Sequence, residues 1–411
     1  MREHAEKHYV GLDIGTSHVR CVVGVHGTDE TGGISVVGHG VAVNQGMRKG
    51  VIMHVDEVAT AIADAVSEAE RISGVRINRA TININGSHVT SMNSKGVVAI
   101  GGANREITFE DRERVEEAAA IVKLPSNREI IQIFAKNYRL DGQDNIKDPV
   151  GMTGVRLEVD CHIVTAATPN IRNLDLVLER AQVIPSNRTV SALAAAEATL
   201  DRKQKEAGTV LVDIGAGTTN LVVIEDGEIQ HVAVIPMGGN NITNDLAIGL
   251  KTDLDVAEQV KLKHARIGDQ TDKTFRIIVD GTGYTFEQQE TNMIVEARVA
   301  EILEYVDKEL QRIHRSRKLP GGIVLVGGTS ILPGLTELAK QKLQLPARIG
   351  KIKGLGGLVD TVDDPAFATA TGLMMLDVML APFSPEQQNS PSLINRGGLD
   401  SISGLFKKFK F

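Results

Sequence analysis

The stretch VLVDIGAGTTNLVVIEDGEI, residues 210–229, repeats in outline a stretch near the start of the chain, YVGLDIGTSHVRCVVGVHG, residues 9–27. Each runs from β-branched and aliphatic residues into an acid and a glycine-bearing turn, then resumes as an apolar strand. The second Asp-Ile-Gly, at 213–215, stands two hundred residues after the first, at 13–15. A hairpin written twice at this separation implies two related halves. A chain of 411 residues is also too long for one ordinary core, so two or more domains are expected.

Composition narrows the class. Apolar residues make up 42% and charged residues 24%, as in soluble globular proteins, and a net charge of −7 gives no whole-protein reason to expect nucleic acid. Cys21 and Cys161 form no CxxC, so neither a disulfide framework nor a zinc site is suggested and a reducing cytoplasm fits. The polar first ten residues are not those of a secretory signal. No apolar run approaches the roughly 20 residues that span a bilayer.

Along the chain, residues 54–74 carry apolar side chains at helical spacing and stop at Gly74. Residues 79–167 read as strands around one helix, TFEDRERVEEAAAIV, whose Thr108 and Asp111 have the spacing of an N-terminal cap. This block reads as a small α/β insertion. TVSALAAAEATLDRKQKEAG reads as one Ala-rich helix before the second hairpin, and the long helix QETNMIVEARVAEILEYVDKELQRIH follows a short hairpin near 276–286. The tract 381–398 is rich in Pro, Ser, Asn and Gln and is expected to be a disordered linker.

The hairpins suggest a chemistry. Backbone N–H groups in a tight Gly/Thr/Ser turn converge on an oxyanion, and an acid at the strand end can hold hydrated Mg²⁺ beside it. Two facing copies would grip a polyphosphate through Asp13, Gly15, Thr16 and Ser17 on one side and Asp213, Gly215, Gly217, Thr218, Thr219 and Asn220 on the other. The alternative is that each Asp merely caps its turn. Gly327 and Gly328, after the strand IVLV, offer bare backbone to a sugar or base. Glu258 and Lys261 share a helical face, as ribose and adenine contacts or as an exposed ion pair. Eleven histidines show no metal spacing; His18, His88 and His162 read as core or turn residues.

The ordered set GLDIGTSHV, LVDIGAGTTNLVV, AEQVK and IVLVGGTSILPG resembles the actin-like ATPase superfamily. That resemblance implies an actin-like two-domain α/β fold with a central cleft for ATP and Mg²⁺. Within the superfamily the chain is most similar to the FtsA family of cell-division actin homologues, through NINGSHV at 83–89, MGGNNITNDLA at 237–247, IVEARVAEI at 294–302, the inserted block and the basic, apolar tail. The implied layout is a first domain at 1–83 and 166–207, an inserted α/β subdomain at 84–165, a second-domain core at 208–240 and 306–360, and a smaller partner-binding subdomain at 241–305. A return helix at 361–381, a linker at 382–397 and an amphipathic helix at 398–411 complete it.

The resemblance further implies Asp13 and Asp213 as water-mediated Mg²⁺ holders, Gly238 and Gly239 as nucleotide contacts, filament formation with other copies, and tethering of the tubulin-like protein FtsZ through its C-terminal peptide. It also implies contact with other division proteins through the insertion, at the cytoplasmic face of the membrane. Arg298 is the suggested peptide anchor, with an ion pair to Glu301 or Glu304 as the alternative. A metabolite kinase, a pilus-assembly relative or a chaperone on the same fold are the rival readings. Ser191 stands where related proteins carry a water-positioning Glu or Gln, so at most slow hydrolysis is expected. In the tail, Leu399, Ile402, Leu405, Phe406 and Phe409 share one helical side while Lys407, Lys408 and Lys410 crowd the rest, as an anionic membrane surface would require. A helix docked on the protein itself is the alternative.

Overall fold

Two hairpins seed two sheets. Strand His8–Ile14 pairs antiparallel with His18–His26, from His8 opposite Val25 to Ile14 opposite Val19. Strand Thr209–Ile214 pairs with Thr219–Glu225 in the same manner, from Thr209 opposite Ile224 to Ile214 opposite Thr219. Both turns close alike: Gly15 N–H donates to the His18 carbonyl at 3.1 Å, and Gly215 N–H donates to the Thr218 carbonyl at 2.9 Å. The β-branched runs suit a pleated surface covered on both faces, and all of Thr209–Ile214 is buried. This computed structural model describes residues 7–26, 33–102, 104–268 and 272–381.

The sheets then grow in the same order. In the first half, Ile34–Val43 flanks the hairpin on one side while Arg79–Ile84 and then Ile184–Val190 add in parallel on the other. In the second half, Glu228–Ile235 takes the flanking place, and Gly322–Val326 and Ala347–Ile349 are the parallel strands. Leu355–Gly357 adds a sixth strand to the first sheet. This shared order is the structural form of the repeat seen in the sequence. Helix Val55–Ser73 buries Val58, Ile62, Ala65 and Ala69 against the first sheet, and Gln288–Arg312 buries Val295, Val299, Leu303 and Val306 in the second core.

The insertion is a four-stranded antiparallel sheet, ordered Thr90–Ala99, Arg156–Ala167, Arg128–Leu140, Gln143–Ile146, packed on helix Phe109–Ala120. Thr108 and Asp111 form a reciprocal cap at that helix: Asp111 N–H donates to Thr108 Oγ1 at 3.2 Å and Thr108 N–H donates to Asp111 Oδ2 at 3.1 Å. The insertion seats on the outer strand of the second half. Ser91 Oγ donates to the Val232 carbonyl at 2.7 Å, Val232 N–H donates to His162 Nε2 at 3.1 Å, and Lys136 Nζ donates to the Gln230 carbonyl at 2.7 Å.

One expected element divides. The Ala-rich stretch is not a single helix: Thr189 and Val190 end a strand, and two helices, Ser191–Thr199 and Arg202–Ala207, follow. Asp201 caps the second, accepting from Gln204 N–H at 2.9 Å while Gln204 Oε1 accepts from Asp201 N–H at 2.8 Å. A good cap at Asp201 with Leu200 extended outweighs the alanine propensity around it. Helix Ala368–Met379 closes the described chain, lying on strand His8–Ile14 so closely that a Cβ on Gly11 would sit 2.1 Å from the Ala370 carbonyl oxygen. Among the described residues no helix is long and apolar enough to cross a membrane. The expected linker and tail helix, with all eight tail residues named above, lie outside the described residues.

Candidate functional site

The turn ends of the two hairpins face each other across a cavity of about 500 Å³. Asp13, Gly15, Thr16 and Ser17 line one wall; Asp213, Gly215, Thr218 and Asn220 line the other; Gly239, Glu258, Lys261, Gly327 and Gly328 complete it. Three residues singled out in the sequence do not reach it. Gly217 is the point where the two turns touch, since a Cβ there would meet Thr16 Oγ1 at 2.7 Å. Thr219 is buried with its hydroxyl donating to the Met237 carbonyl at 2.9 Å, and Gly238 packs against the carbonyls of Gly215 and Ala216. A further cross-cleft bond joins the halves, Asn85 Nδ2 donating to Thr218 Oγ1 at 3.1 Å.

Both carboxylates are held and both are costly. Asp13 Oδ1 accepts from Asn83 Nδ2 at 2.6 Å, and Asn83 Oδ1 in turn accepts from Ile14 N–H at 2.8 Å. Burial pushes Asp13 up to about 7, with the Arg20 guanidinium opposing and the Asp213 charge reinforcing. Burial lifts Asp213 to about 6 against the Thr369 hydroxyl bond, Arg20 and the Asn220 side-chain bond. Two acids kept this dry with one cation near both are groups waiting for positive charge. Arg20 Nε and Asn220 Oδ1 are buried without a hydrogen-bond partner, which is unusual for native side chains.

The remaining wall supplies both polarity and shape. Lys261 Nζ donates to Glu258 Oε2 at 2.6 Å and to Thr243 Oγ1 at 2.9 Å, so the two residues do form an i,i+3 pair, yet the Lys261 side chain is only 12% exposed and lines the cavity. Leu262, Ile331, Leu332 and Pro333 give an apolar patch beside Gly327 and Gly328. Gly327 has φ +86°, and a Cβ there would lie 2.3 Å from Asp213 Oδ1; Gly328 has open space, its nearest neighbour being Ala366 Cβ at 3.9 Å. Among the described residues no cluster of three or more His, Cys, Asp or Glu could ligate a metal directly.

Sequence reasoning missed several of these groups. Arg20 stands opposite Asp13 in the hairpin register, and a basic residue inside the apolar run HVRCVVGV was a readable signal. His18, read as a core or turn residue, lines the cavity, with Ser17 Oγ 3.0 Å from its Nδ1. Asn83, Asn85, Asp364, Ala366 and Thr369 come from distant segments whose local patterns carry no such hint. Ser191 lines the cavity and accepts from Asn83 Nδ2 at 3.0 Å. Arg298 lies elsewhere, bound to Asp245 through Nε at 2.5 Å and Nη2 at 2.9 Å and to Glu301 at 2.5 Å. A peptide carboxylate there would have to compete with two internal ones.

Known sequences place the chain. The family profile described as "Cell division protein FtsA" matches residues 210–372, and that described as "SHS2 domain inserted in FTSA" matches 86–165. Cell division protein FtsA of Bacillus subtilis is 39% identical over 89% of this chain and 82% of its own length. That of Neisseria meningitidis is 35% identical over 99% of this chain and 98% of its own length. The chain belongs to the FtsA family of cell division proteins. Solved structures agree on the actin-like fold: MreB5 of Spiroplasma citri aligns with a TM-score of 0.55 at 14% identity, covering 91% of this chain and 97% of its own. The MamK double helical filament aligns at 0.53 and 15%, covering 91% and 99%. The PilM-PilN type IV pilus biogenesis complex aligns at 0.66 and 17%, covering 90% and 98%. The inserted sheet, apart from the last two residues of strand Arg156–Ala167, lies within the span matched by the SHS2 profile.

Proposed function

We propose that this chain binds ATP with Mg²⁺ between its halves, assembles with copies of itself, and tethers FtsZ filaments to the cytoplasmic face of the membrane at the division site. The observation that carries the reading is the cleft, where two glycine turns from opposite halves, two carboxylates and the unpartnered Arg20 Nε meet around one cavity. The residues fit the group. The turn at Gly15–Ser17, its counterpart at Gly215–Thr218 and Arg20 would hold the phosphates, and Asp13 and Asp213 would hold Mg²⁺ through its water shell. Glu258 would accept from ribose, while Leu262, Ile331, Leu332 and Pro333 would flank the base over Gly327 and Gly328. When bound, ATP supplies a phosphate chain long enough to engage both halves and a bond open to hydrolysis.

Ser191, which lines the cleft bonded to Asn83, stands where the family resemblance expects a water-positioning residue, and it cannot take a proton as a carboxylate can, so slow turnover is the expectation. MreB5 has been solved bound to ADP and MamK as a double helical filament; on a shared fold, both support nucleotide binding and self-assembly here. Family membership supports FtsZ as partner and the membrane as destination. The test is reconstitution. FtsZ polymers should pellet with anionic liposomes when this chain and Mg²⁺-ATP are present. Equal pelleting without the chain, or with FtsZ lacking its C-terminal peptide, would overturn the tether.

A further inference from the structure

The two halves secure their cleft carboxylates differently, and the difference breaks the internal repeat. In the first sheet the parallel register runs Gly11 opposite Thr81 and Leu12 opposite Ile82, which puts Asn83 beside Asp13, to whose Oδ1 it donates at 2.6 Å. In the second sheet the equivalent register puts Val326 beside Asp213. Valine has nothing to donate. Asp213 Oδ2 accepts instead from the Thr369 hydroxyl at 3.2 Å, with the Asn220 side chain opposite it in the hairpin as a further hydrogen-bond partner.

Thr369 is not part of the second half. Its helix, Ala368–Met379, lies on strand His8–Ile14, where Asp377 accepts from Val10 N–H at 3.1 Å and from Thr81 Oγ1 at 2.7 Å. A Cβ on Gly372 would sit 1.7 Å from the Ala194 carbonyl oxygen, so the helix is also pressed onto Ser191–Thr199. Just before it, the Pro365 carbonyl accepts from Gly327 N–H at 3.0 Å, a second bond from this crossing segment to the strand end beside Asp213. Thr369 is 4% exposed, so its hydroxyl does not exchange this acceptor freely for solvent.

We propose that Thr369 is a positioning residue through which the first half orients the Asp213 carboxylate, so that the cation-dependent part of nucleotide affinity depends on how the halves sit on each other. This rests on the nucleotide reading of the cleft and adds the coupling between its walls. Asp13 is held from within its own sheet, whereas Asp213, besides the Asn220 side chain opposite it in its own hairpin, takes a hydroxyl bond from across the cleft. Movement of the halves apart removes the Thr369 hydroxyl bond, and the divalent cation then meets an Asp213 carboxylate oriented by Asn220 alone.

The experiment is calorimetric titration of the full chain with ATP, in Mg²⁺ and in excess chelator, for the parent, Thr369→Val and Thr369→Ser. Thermal unfolding without nucleotide checks that each variant is folded, and Thr369→Ala replaces the valine variant if the branched side chain disturbs the helix. Thr369→Val should weaken Mg²⁺-ATP binding roughly tenfold, the factor expected for a lost hydrogen bond to a charged group, while leaving chelator-treated ATP binding unchanged. Thr369→Ser should restore the parent value. Equal weakening in both conditions would reduce Thr369 to a packing residue and overturn the proposal, as would an unchanged Thr369→Val or a serine variant that fails to restore. If the parent itself binds no Mg²⁺-ATP, the nucleotide reading falls and takes this inference with it, an outcome distinct from binding that ignores Thr369.

Discussion

Asn83 donates to Asp13 Oδ1 at 2.6 Å in a cleft wall where the carboxylate is 9% exposed. One hydrogen bond does not repay such burial, which lifts Asp13 from 3.8 to about 7, Arg20 opposing and Asp213 adding to it. The folded state therefore binds this proton more tightly than the unfolded state does. Its contribution favours the fold below about pH 4 and is lost progressively as pH rises to about 7, beyond which the penalty is constant. Asp13→Asn removes the charge and keeps an Oδ1 for Asn83. It is expected to stabilise the ligand-free protein by an amount on the order of 2 to 4 kcal/mol above neutrality, with the gain shrinking towards about pH 4. Urea unfolding at an alkaline and a mildly acidic pH checks this. A gain that is the same at both would mean that the carboxylate's charge is not the cause.

The same cleft separates space from conformation at its glycine pair. Gly327 must keep φ +86° and leave room for Asp213, whereas Gly328 faces open cavity. Gly328→Val is expected to leave thermal stability within about 0.5 kcal/mol of the parent, as for a change outside the core, and to weaken ATP binding by filling space the ligand needs. Asp213→Ala should weaken Mg²⁺-ATP selectively by removing one carboxylate from the cation shell. Unaltered affinity in both folded variants would remove the nucleotide from this cavity.

What was legible in the sequence follows from range. The hairpins announce themselves because apolar strands, Asp-Ile-Gly and the turn all lie within twenty residues and recur, and the Thr108 cap is complete within four. The break after Thr199 was hidden because an Asp cap competes with alanine propensity only once Leu200 leaves the helix. Asn83 and Thr369 were invisible for a different reason. Asn83 meets Asp13 through strand register, and Thr369 meets Asp213 through a helix that arrives after one hundred and fifty-six residues. Neither relation has a local periodicity to betray it.

Ser191 opens its helix, lines the cavity and is 2% exposed. A carboxylate at a helix N-terminus is electrostatically favoured, though this one would also have to find room beside Asn83. Ser191→Glu is expected to raise the rate of phosphate release by roughly ten- to a hundredfold if the carboxylate orients water as a general base does. Phosphate release and ATP affinity are measured together on the folded variant. A parent that already turns over briskly, or a variant with intact binding and no faster release, would show that hydrolysis is not limited here.

No described helix could span a bilayer, and the membrane attachment proposed above is assigned to the tail. In GLDSISGLFKKFKF, residues 398–411, Leu399, Ile402, Leu405, Phe406 and Phe409 recur at helical intervals with Lys407, Lys408 and Lys410 among them. Each lysine near anionic lipid is worth about 1 kcal/mol, and each apolar side chain contributes roughly 1.5 to 3 kcal/mol when fully buried. Ordering so short a helix takes back part of that gain, because in water it is marginal. A single tail should thus bind weakly and reversibly, while an assembly presenting many tails binds firmly through effective concentration. On this expectation assembly would strengthen attachment without any change in the tail's sequence. Co-sedimentation with anionic liposomes is expected to retain the full chain, to lose a chain ending at Gly397, and to be strongly reduced by Phe406→Glu. Conditions that promote assembly should steepen the contrast, and added salt should weaken retention by screening the lysines. Equal pelleting of the three proteins would place the anchor elsewhere.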